Sequence, residues 1–436
     1  MRRNLTVYSL AACLVLPVSD DAKSETVERS YDFELVAGGR VIAREGPKTM
    51  FPTVIRLPDW LPREQRADPS ANYYLYFCTH HGAYIFMSWA ENINGPWEEF
   101  NLGGRYNNRT RRGVFDVRSD PSRSSYGHLA APDVIVDDQN RQFIMFFHAR
   151  NQPSTTTNSG KPVQRLHQGF VATSADGLNF FDPKTAGGQP GHGPKTVTAD
   201  GVTRDIWIGR PYQRAFRHQG FWYSVAKRGI INRARSATRP WELNPDNPFG
   251  MAWLMEDTPS ALWTNDASKV QNHYNSPAAT FLATSEFANH PNNPHPGVRI
   301  DCNSERINHL SVCKLPHDQL ELFFYARLDP DDRYDALYRV VYDISNPDFQ
   351  KWNLVRDETG LTLFEVVVTP EEISAAVLAA KPDAKPLFYA DPVSLGSTGV
   401  CIDRDGSKYL FYAYESRRYS GRDTEGQISA IRLIPR

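Results

Sequence analysis

The chain is 436 residues long, with 40% hydrophobic and 12% aromatic residues, enough to bury a large core and to exclude global disorder. Lys and Arg number 49 and Asp and Glu 50, a formal net charge of −1 that excludes whole-molecule attraction to nucleic acid or to an anionic membrane. Any charged partner has to be recognised locally.

In chain order, Met1-Arg2-Arg3-Asn4 is basic and precedes an apolar run from Leu5 to Val18. That run is too short to span a bilayer and matches the apolar centre of a secretory signal. Residues 1–30 are therefore expected to be a signal peptide with a disordered mature N-terminus, and the protein to be exported to the periplasm or the extracellular space. Leu10-Ala11-Ala12-Cys13 also matches a lipobox, with Cys13 as a lipid-anchored terminus. The apolar run continues past that cysteine to Val18, which favours plain cleavage. No other segment is long and apolar enough for a membrane span.

Residues 31–436 read as one domain built on an internal repeat. Tyr31 to Arg44 is expected to be an extra strand that closes a ring against the last unit. Each unit opens with a short apolar strand, usually led by a polar residue and a proline. The series is Phe51-Pro52-Thr53-Val54-Ile55, Pro132-Asp133-Val134-Ile135, Arg210-Pro211-Tyr212, His309-Leu310-Ser311-Val312 and Asp391-Pro392-Val393-Ser394. An aromatic-rich second strand follows each time, at Tyr73–Phe77, Phe143–Phe147, Phe221–Tyr223, Leu322–Tyr325 and Tyr409–Tyr412. Turn strings such as Asp137-Asp138-Gln139-Asn140, His218-Gln219-Gly220 and Asp403-Arg404-Asp405-Gly406 separate the two, because Gly, Asn and Asp tolerate positive φ. Third strands read at Tyr84–Ala90, Gly169–Ser174, Ala336–Tyr342 and Gln427–Leu433, and Trp97, Trp241 and Trp352 end three units. The expected fold is an all-β, five-bladed β-propeller with long inter-strand insertions. A β-sandwich is the competing architecture, but it requires no such regularity. Glu371 to Ala380 is the one convincing helix.

In such a unit the first strand leaves one face of the molecule and the second returns to it. Starts of first strands, ends of second strands and starts of third strands therefore share a face, where they can converge on the axis. First-strand starts supply Asp133, Arg210, His309 and Asp391; second-strand ends supply His80, His81, His148, Arg150, Arg228, Arg327 and Glu415; third-strand starts add His167 and Glu425. Alternation lets only one of His80 and His81 face the axis. Carboxylates gathered round one pocket suit acid–base or nucleophilic chemistry on a glycosidic bond. The Arg and His residues suit an acidic sugar. Glu365, an isolated acid in the apolar stretch Leu361–Val368, is a further acid candidate.

Cys78, Cys302, Cys313 and Cys401 show no CxxC spacing, which argues against structural zinc. Cys302 and Cys313 can be read as a disulfide or as buried thiols, with thiols the preferred reading. No metal-ligand spacing, phosphate loop or dinucleotide fingerprint stands out, so no cofactor is expected; a calcium or sodium ion in the channel is left open.

At His80-His81-Gly82, Ala131-Pro132-Asp133-Val134 and Asp391-Pro392, the sequence resembles the five-bladed propeller glycosidases, nearest the glycoside hydrolase family 43-like group, from about Phe51 to Arg436. The resemblance implies axial carboxylates that cleave sugars without an organic cofactor, and gives Asp133 the family role of tuning the acid and orienting substrate. It also implies departures. Phe51 stands where the family has its base aspartate, and Arg210 where it has its acid glutamate, while histidine acids in some relatives make His80 or His81 a substitute. The expected activity is exo-acting hydrolysis of polysaccharide-derived oligosaccharides. Asp133, Asp391, His81 and Glu425 would be catalytic, and His80, Arg210, His309, His148 and Arg327 would bind substrate. A non-catalytic glycan-binding propeller and a sugar phosphorylase or lyase on the same fold are the alternatives.

Overall fold

The structure is a computed structural model that describes residues 29–39, 41–43, 49–79, 84–100, 114–116, 129–150, 167–180, 196–199, 202–205, 212–226, 230–234, 237, 277–294, 296–299, 307–327, 335–382, 394–415 and 426–436. Its strands are short antiparallel runs in chain order. β1 (Tyr31–Leu35) and β2 (Ile42–Ala43) precede a sheet of β3 (Thr49–Arg56), β4 (Tyr73–Thr79), β5 (Tyr84–Ala90), β6 (Glu98–Phe100) and β7 (Phe115–Asp116). A second sheet holds β8 (Leu129–Asp137), β9 (Gln142–Arg150) and β10 (His167–Ser174), and β11 (Thr196–Ala199) pairs with β12 (Val202–Asp205). Next come β13 (Arg214–His218), β14 (Phe221–Ala226) and β15 (Ile230–Ala234), then β16 (Ile307–Leu315), β17 (Gln319–Arg327), β18 (Asp335–Asp343), β19 (Asn353–Leu354) and β20 (Phe364–Val368). The last sheet takes β21 (Ser394–Ile402), β22 (Lys408–Glu415) and β23 (Gly426–Pro435) and adds β1 and β2 to the edge of β23.

The second strands are buried over most of their described length, and in β4 all seven residues are covered. A strand covered on both faces needs no polar alternation, which is why these runs are continuously aromatic and aliphatic. Neighbouring sheets share one apolar cluster at each interface. Tyr74, Tyr76 and Met87 meet Phe143 and Met145, Phe146 meets Trp222, Tyr223 meets Phe324 and Tyr338, Phe323 meets Leu410, and Phe411 meets Leu75 and Phe77. Each fully buried large side chain of this kind stabilises the fold by about 1.5–3 kcal/mol.

These sheets form a β-propeller arrangement. The first strands pack side by side, β3 on β8, β8 on β13, β13 on β16, β16 on β21, and β21 back on β3. The predicted hairpins are present. His218 pairs with Phe221 across Gln219 (φ 46°) and Gly220 (φ 80°), the two positive φ values that a type I′ turn requires. The expected closing strand is also found, as β1 pairs from Tyr31 opposite Pro435 to Leu35 opposite Ile431. Helices are few among the described residues: α1 (Pro277–Leu282), α2 (Ser285–Ala288) and α3 (Pro370–Ala380). The last was expected, and Thr369 and Glu372 cap it reciprocally.

The closure is held by charge as well as by the ladder. Arg339 Nε donates to Glu321 at 2.7 Å and its Nη1 to Glu365 at 2.8 Å. Lys408 bonds Glu321 and the Tyr31 hydroxyl, and that hydroxyl donates to Glu321 at 2.7 Å. Ser30 binds Glu365 through both its backbone N–H and its hydroxyl. Glu365 is thus a structural anchor for the N-terminal strand, and the reading of it as an acid is corrected: its buried charge is answered by Arg339.

One strand start differs from expectation. The inner strand of the third sheet begins at Arg214, after Tyr212, and not at Arg210-Pro211-Tyr212. In the last sheet the described strand runs from Ser394 to Ile402, and Asp391, Pro392 and Val393 lie outside the described residues.

Candidate functional site

A non-glycine residue in the left-handed region lies within β3, β8, β16 and β21 and two residues before β13: Phe51 (φ 60°), Ala131 (52°), His309 (45°), Ser397 (49°) and Tyr212 (60°). In β3, β8, β16 and β21 this coincides with a register shift, for example between Met50 and Thr53 and between Ala130 and Asp133. Such strained backbone persists only where the surroundings hold it. Here the carbonyls of Pro52, Pro132, Leu310 and Thr398, each one residue past its bulge, all accept hydrogen bonds from the single guanidinium of Arg214. Thr53 Oγ1 takes another at 3.1 Å. β3, β8, β16 and β21 therefore converge on one axis at the guanidinium of Arg214.

Asp133 shares this layer. Its Oδ2 accepts from the Ala215 N–H at 2.7 Å, and its Oδ1 lies 3.6 Å from Arg214 Nη1. Burial pushes the Asp133 carboxyl above its ordinary range, while the Arg214 charge and the Ala215 N–H pull the other way. Burial lowers the Arg214 pKa, opposed by Asp133, and the guanidinium stays charged. The neighbouring Cys78 thiol is pushed up to about 12 by burial. Cys78, Cys313 and Cys401 are buried free thiols, and Cys302 lies outside the described residues.

Toward the strand starts lies an aromatic layer. Tyr212 is half-buried, with ring centroids of His148 at 4.3 Å, His309 at 4.4 Å and Phe51 at 5.5 Å. Phe51 also packs edge-on against His309 at 4.4 Å, and Tyr325 lies 5.5 Å from His309. The Ser397 hydroxyl sits 3.2 Å from His309 Nδ1. Toward the hairpin turns is a cavity of about 240 Å³, lined by Thr53, Asp133, Arg214 and Ser311 and then by Ile55, Ile135, Val312 and Val400. No residue of the aromatic layer lines it.

The structure brings two of the predicted site residues, His309 and His148, together round Tyr212, and places Asp133 in the adjoining layer beside Arg214. Arg327 ends β17 opposite Asp335, at the same end of its sheet as the start of β16. His80, His81, Arg210, Asp391 and Glu425 lie outside the described residues, as does the string His80-His81-Gly82. The described ends beside them, Thr79 paired with Thr49 and Gly426 with Glu415, fall at the bulge end of their sheets. Sequence reasoning missed Arg214, Tyr212, Thr53 and Ser397. The signal for Arg214 was present: Tyr212-Gln213-Arg214 aligns with Ala131-Pro132-Asp133 once the bulge is counted. Among the described residues no group of three His, Cys, Asp or Glu side chains is placed to hold a metal. No helix there is long and apolar enough to cross a membrane.

No protein-family model matches the chain. An uncharacterised protein of Acanthamoeba polyphaga mimivirus is 28% identical over 196 residues, 44% of this chain and 46% of that protein, so the match spans about half the length of each. Solved structures of similar arrangement include an alpha-L-arabinofuranosidase from Podospora anserina (9% identity, 93% of this chain and 98% of that one, TM-score 0.45) and a sucrose-6-phosphate hydrolase from Lactobacillus gasseri (11%, 91% and 61%, 0.46). An alpha-L-arabinanase from Cellvibrio cellulosa is a third (11%, 89% and 93%, 0.39). Those activities belong to the proteins named.

Proposed function

We propose that the chain is a five-bladed carbohydrate-active enzyme, an exo-acting glycoside hydrolase on polysaccharide-derived oligosaccharides, exported from the cell, with its site at the bulge end of the axis. One observation carries the reading: Arg214 ties four other inner strands at one level, and Asp133, His309, His148 and Tyr212 gather within one or two residues of that level. Segments bearing His80, His81, Asp391 and Glu425 adjoin the same end in sequence.

In this reading Tyr212 is a stacking floor for a sugar ring, and His309 and His148 flank it as hydrogen-bonding groups. Asp133 tunes the site from beneath, and Asp391, Glu425 and His81 supply the proton donor and base across the glycosidic bond. The products of such cleavage are a released terminal sugar and a shortened chain.

A specific observation favours a second reading, a glycan-binding propeller without turnover. Phe51 occupies a bulge position at the axis, and the one carboxylate described there, Asp133, is already engaged by Ala215 and Arg214. Incubating the protein with neutral and acidic oligosaccharides, with and without phosphate, followed by mass spectrometry, separates the two. Released sugar that disappears in Asp391→Ala and Asp133→Ala supports hydrolysis. Binding with no product across the panel replaces it with glycan recognition, and phosphate-dependent product with a phosphorylase.

A further inference from the structure

A guanidinium has five N–H donors, and those of Arg214 meet five acceptors. Nε gives to Leu310 O at 2.8 Å. One Nη gives to Pro132 O at 2.7 Å and to Thr53 Oγ1 at 3.1 Å. The other gives to Thr398 O at 2.9 Å and, at the long limit, to Pro52 O at 3.5 Å. No N–H is left to grip a ligand, so Arg214 is not a substrate clamp. What it still offers is its charge. A ring of backbone carbonyls is a cation-solvating cage, and in this protein the cation in the cage is covalently attached.

The Asp133 carboxylate is the counter-charge. It lies 3.6 Å from Nη1, yet the hydrogen bond it accepts comes from the Ala215 N–H. We propose that Arg214 is a positioning residue for the axial site: a protein-borne cation, fixed in the ring of bulge carbonyls, that holds the Asp133 carboxylate in place by charge alone. Its field counters the burial that favours the protonated carboxyl. Among the described residues, the other titratable group coupled to this pair is Cys78 on β4, a neutral thiol because burial raises it to about 12. The inference rests on the axial site proposed above, but its test involves no sugar, so each can fail without the other.

The test is a carboxyl titration by ¹³C NMR on protein labelled at the aspartate side-chain carbon, with the Asp133 signal identified by its loss in Asp133→Asn. In Arg214→Met the Asp133 midpoint is expected to rise by about 1–3 pH units, the usual effect of an adjacent arginine charge. Arg214→Gln, which keeps hydrogen-bonding capacity but not charge, is expected to show the same rise. An unmoved midpoint in a folded variant overturns the proposal. If neither variant folds, the unsubstituted protein decides. The guanidinium with nuclear Overhauser contacts to the Thr53 methyl is expected to show separate, slowly exchanging Nη protons. Exchange as fast as that of surface arginines overturns the proposal.

Discussion

The hydroxyl of Ser397 lies 3.2 Å from Nδ1 of His309, and the two residues occupy equivalent bulges of neighbouring inner strands. Ser397 is fully buried, and His309 is its one hydrogen-bond partner among the described residues. A buried hydroxyl proton without an acceptor costs about 1–3 kcal/mol. The hydroxyl therefore donates to Nδ1, and His309 carries its own proton on Nε2.

Ser397→Ala is accordingly expected to release that tautomer. In ¹⁵N NMR of histidine-labelled protein, Nδ1 of His309 should have the shift of an unprotonated acceptor in the unsubstituted chain and a mixed-tautomer average in the variant. A protonated Nδ1 in the unsubstituted protein would show that the hydrogen bond runs the other way.

Gly399 of β21 packs directly against the Pro52 backbone of β3. A Cβ there would lie 2.2 Å from Pro52 O and 3.0 Å from Pro52 C, both backbone atoms that cannot rotate aside. Gly399→Ala must push the two strands apart at the level of Arg214, at an expected cost of about 3 kcal/mol. Gly396→Ala meets only Tyr325 Cε1 at 3.9 Å and is expected to change stability by less than about 1 kcal/mol. Denaturant midpoints for the pair check this, and equal midpoints count against it.

The closure cluster makes stability depend on acid. Burial works to raise the Glu321 pKa, but the charges of Arg339 and Lys408, with hydrogen bonds from Lys408 and Tyr31, outweigh it and hold the carboxyl below its usual range. A carboxylate with a lowered folded-state pKa contributes fully above its unfolded value, about 4.3, and loses that contribution as pH falls through the folded value. Glu321→Gln leaves the part-buried Lys408 without its carboxylate and Arg339 with Glu365 alone, and is expected to cost about 3–5 kcal/mol at pH 7. Its stability should also fall less steeply than that of the unsubstituted protein between about pH 4.5 and 3. Thermal melts across that range give the comparison, and parallel curves would remove Glu321 from the acid response.

Much of the fold was legible in the chain. The aromatic second strands could be read because burial on both faces removes polar alternation, as in Tyr73–Thr79. The hairpins could be read because Gln219-Gly220 and Asp403–Gly406 satisfy local turn chemistry. Trp352, expected to end a unit, is buried with Nε1 donating to Asn346 O at 2.7 Å. The site was legible only in part. Asp133 stood out in Ala131-Pro132-Asp133, whereas the matching Arg214 was hidden four residues past Arg210, where the third unit was thought to start. A left-handed residue at Tyr212 shifts the pattern without announcing itself, since a tyrosine there is unusual by conformational preference.

The sequence by itself determined the order of strands, the turns between them and the N-terminal strand that closes the ring, because each depends on local pattern. Tertiary structure alone decided what lies on the axis. The acceptors of Arg214 lie 82 to 184 residues from it in the chain, and four of the five are backbone carbonyls. Backbone carbonyls are common to every residue type, so only the converging strands could reveal which ones the guanidinium would meet.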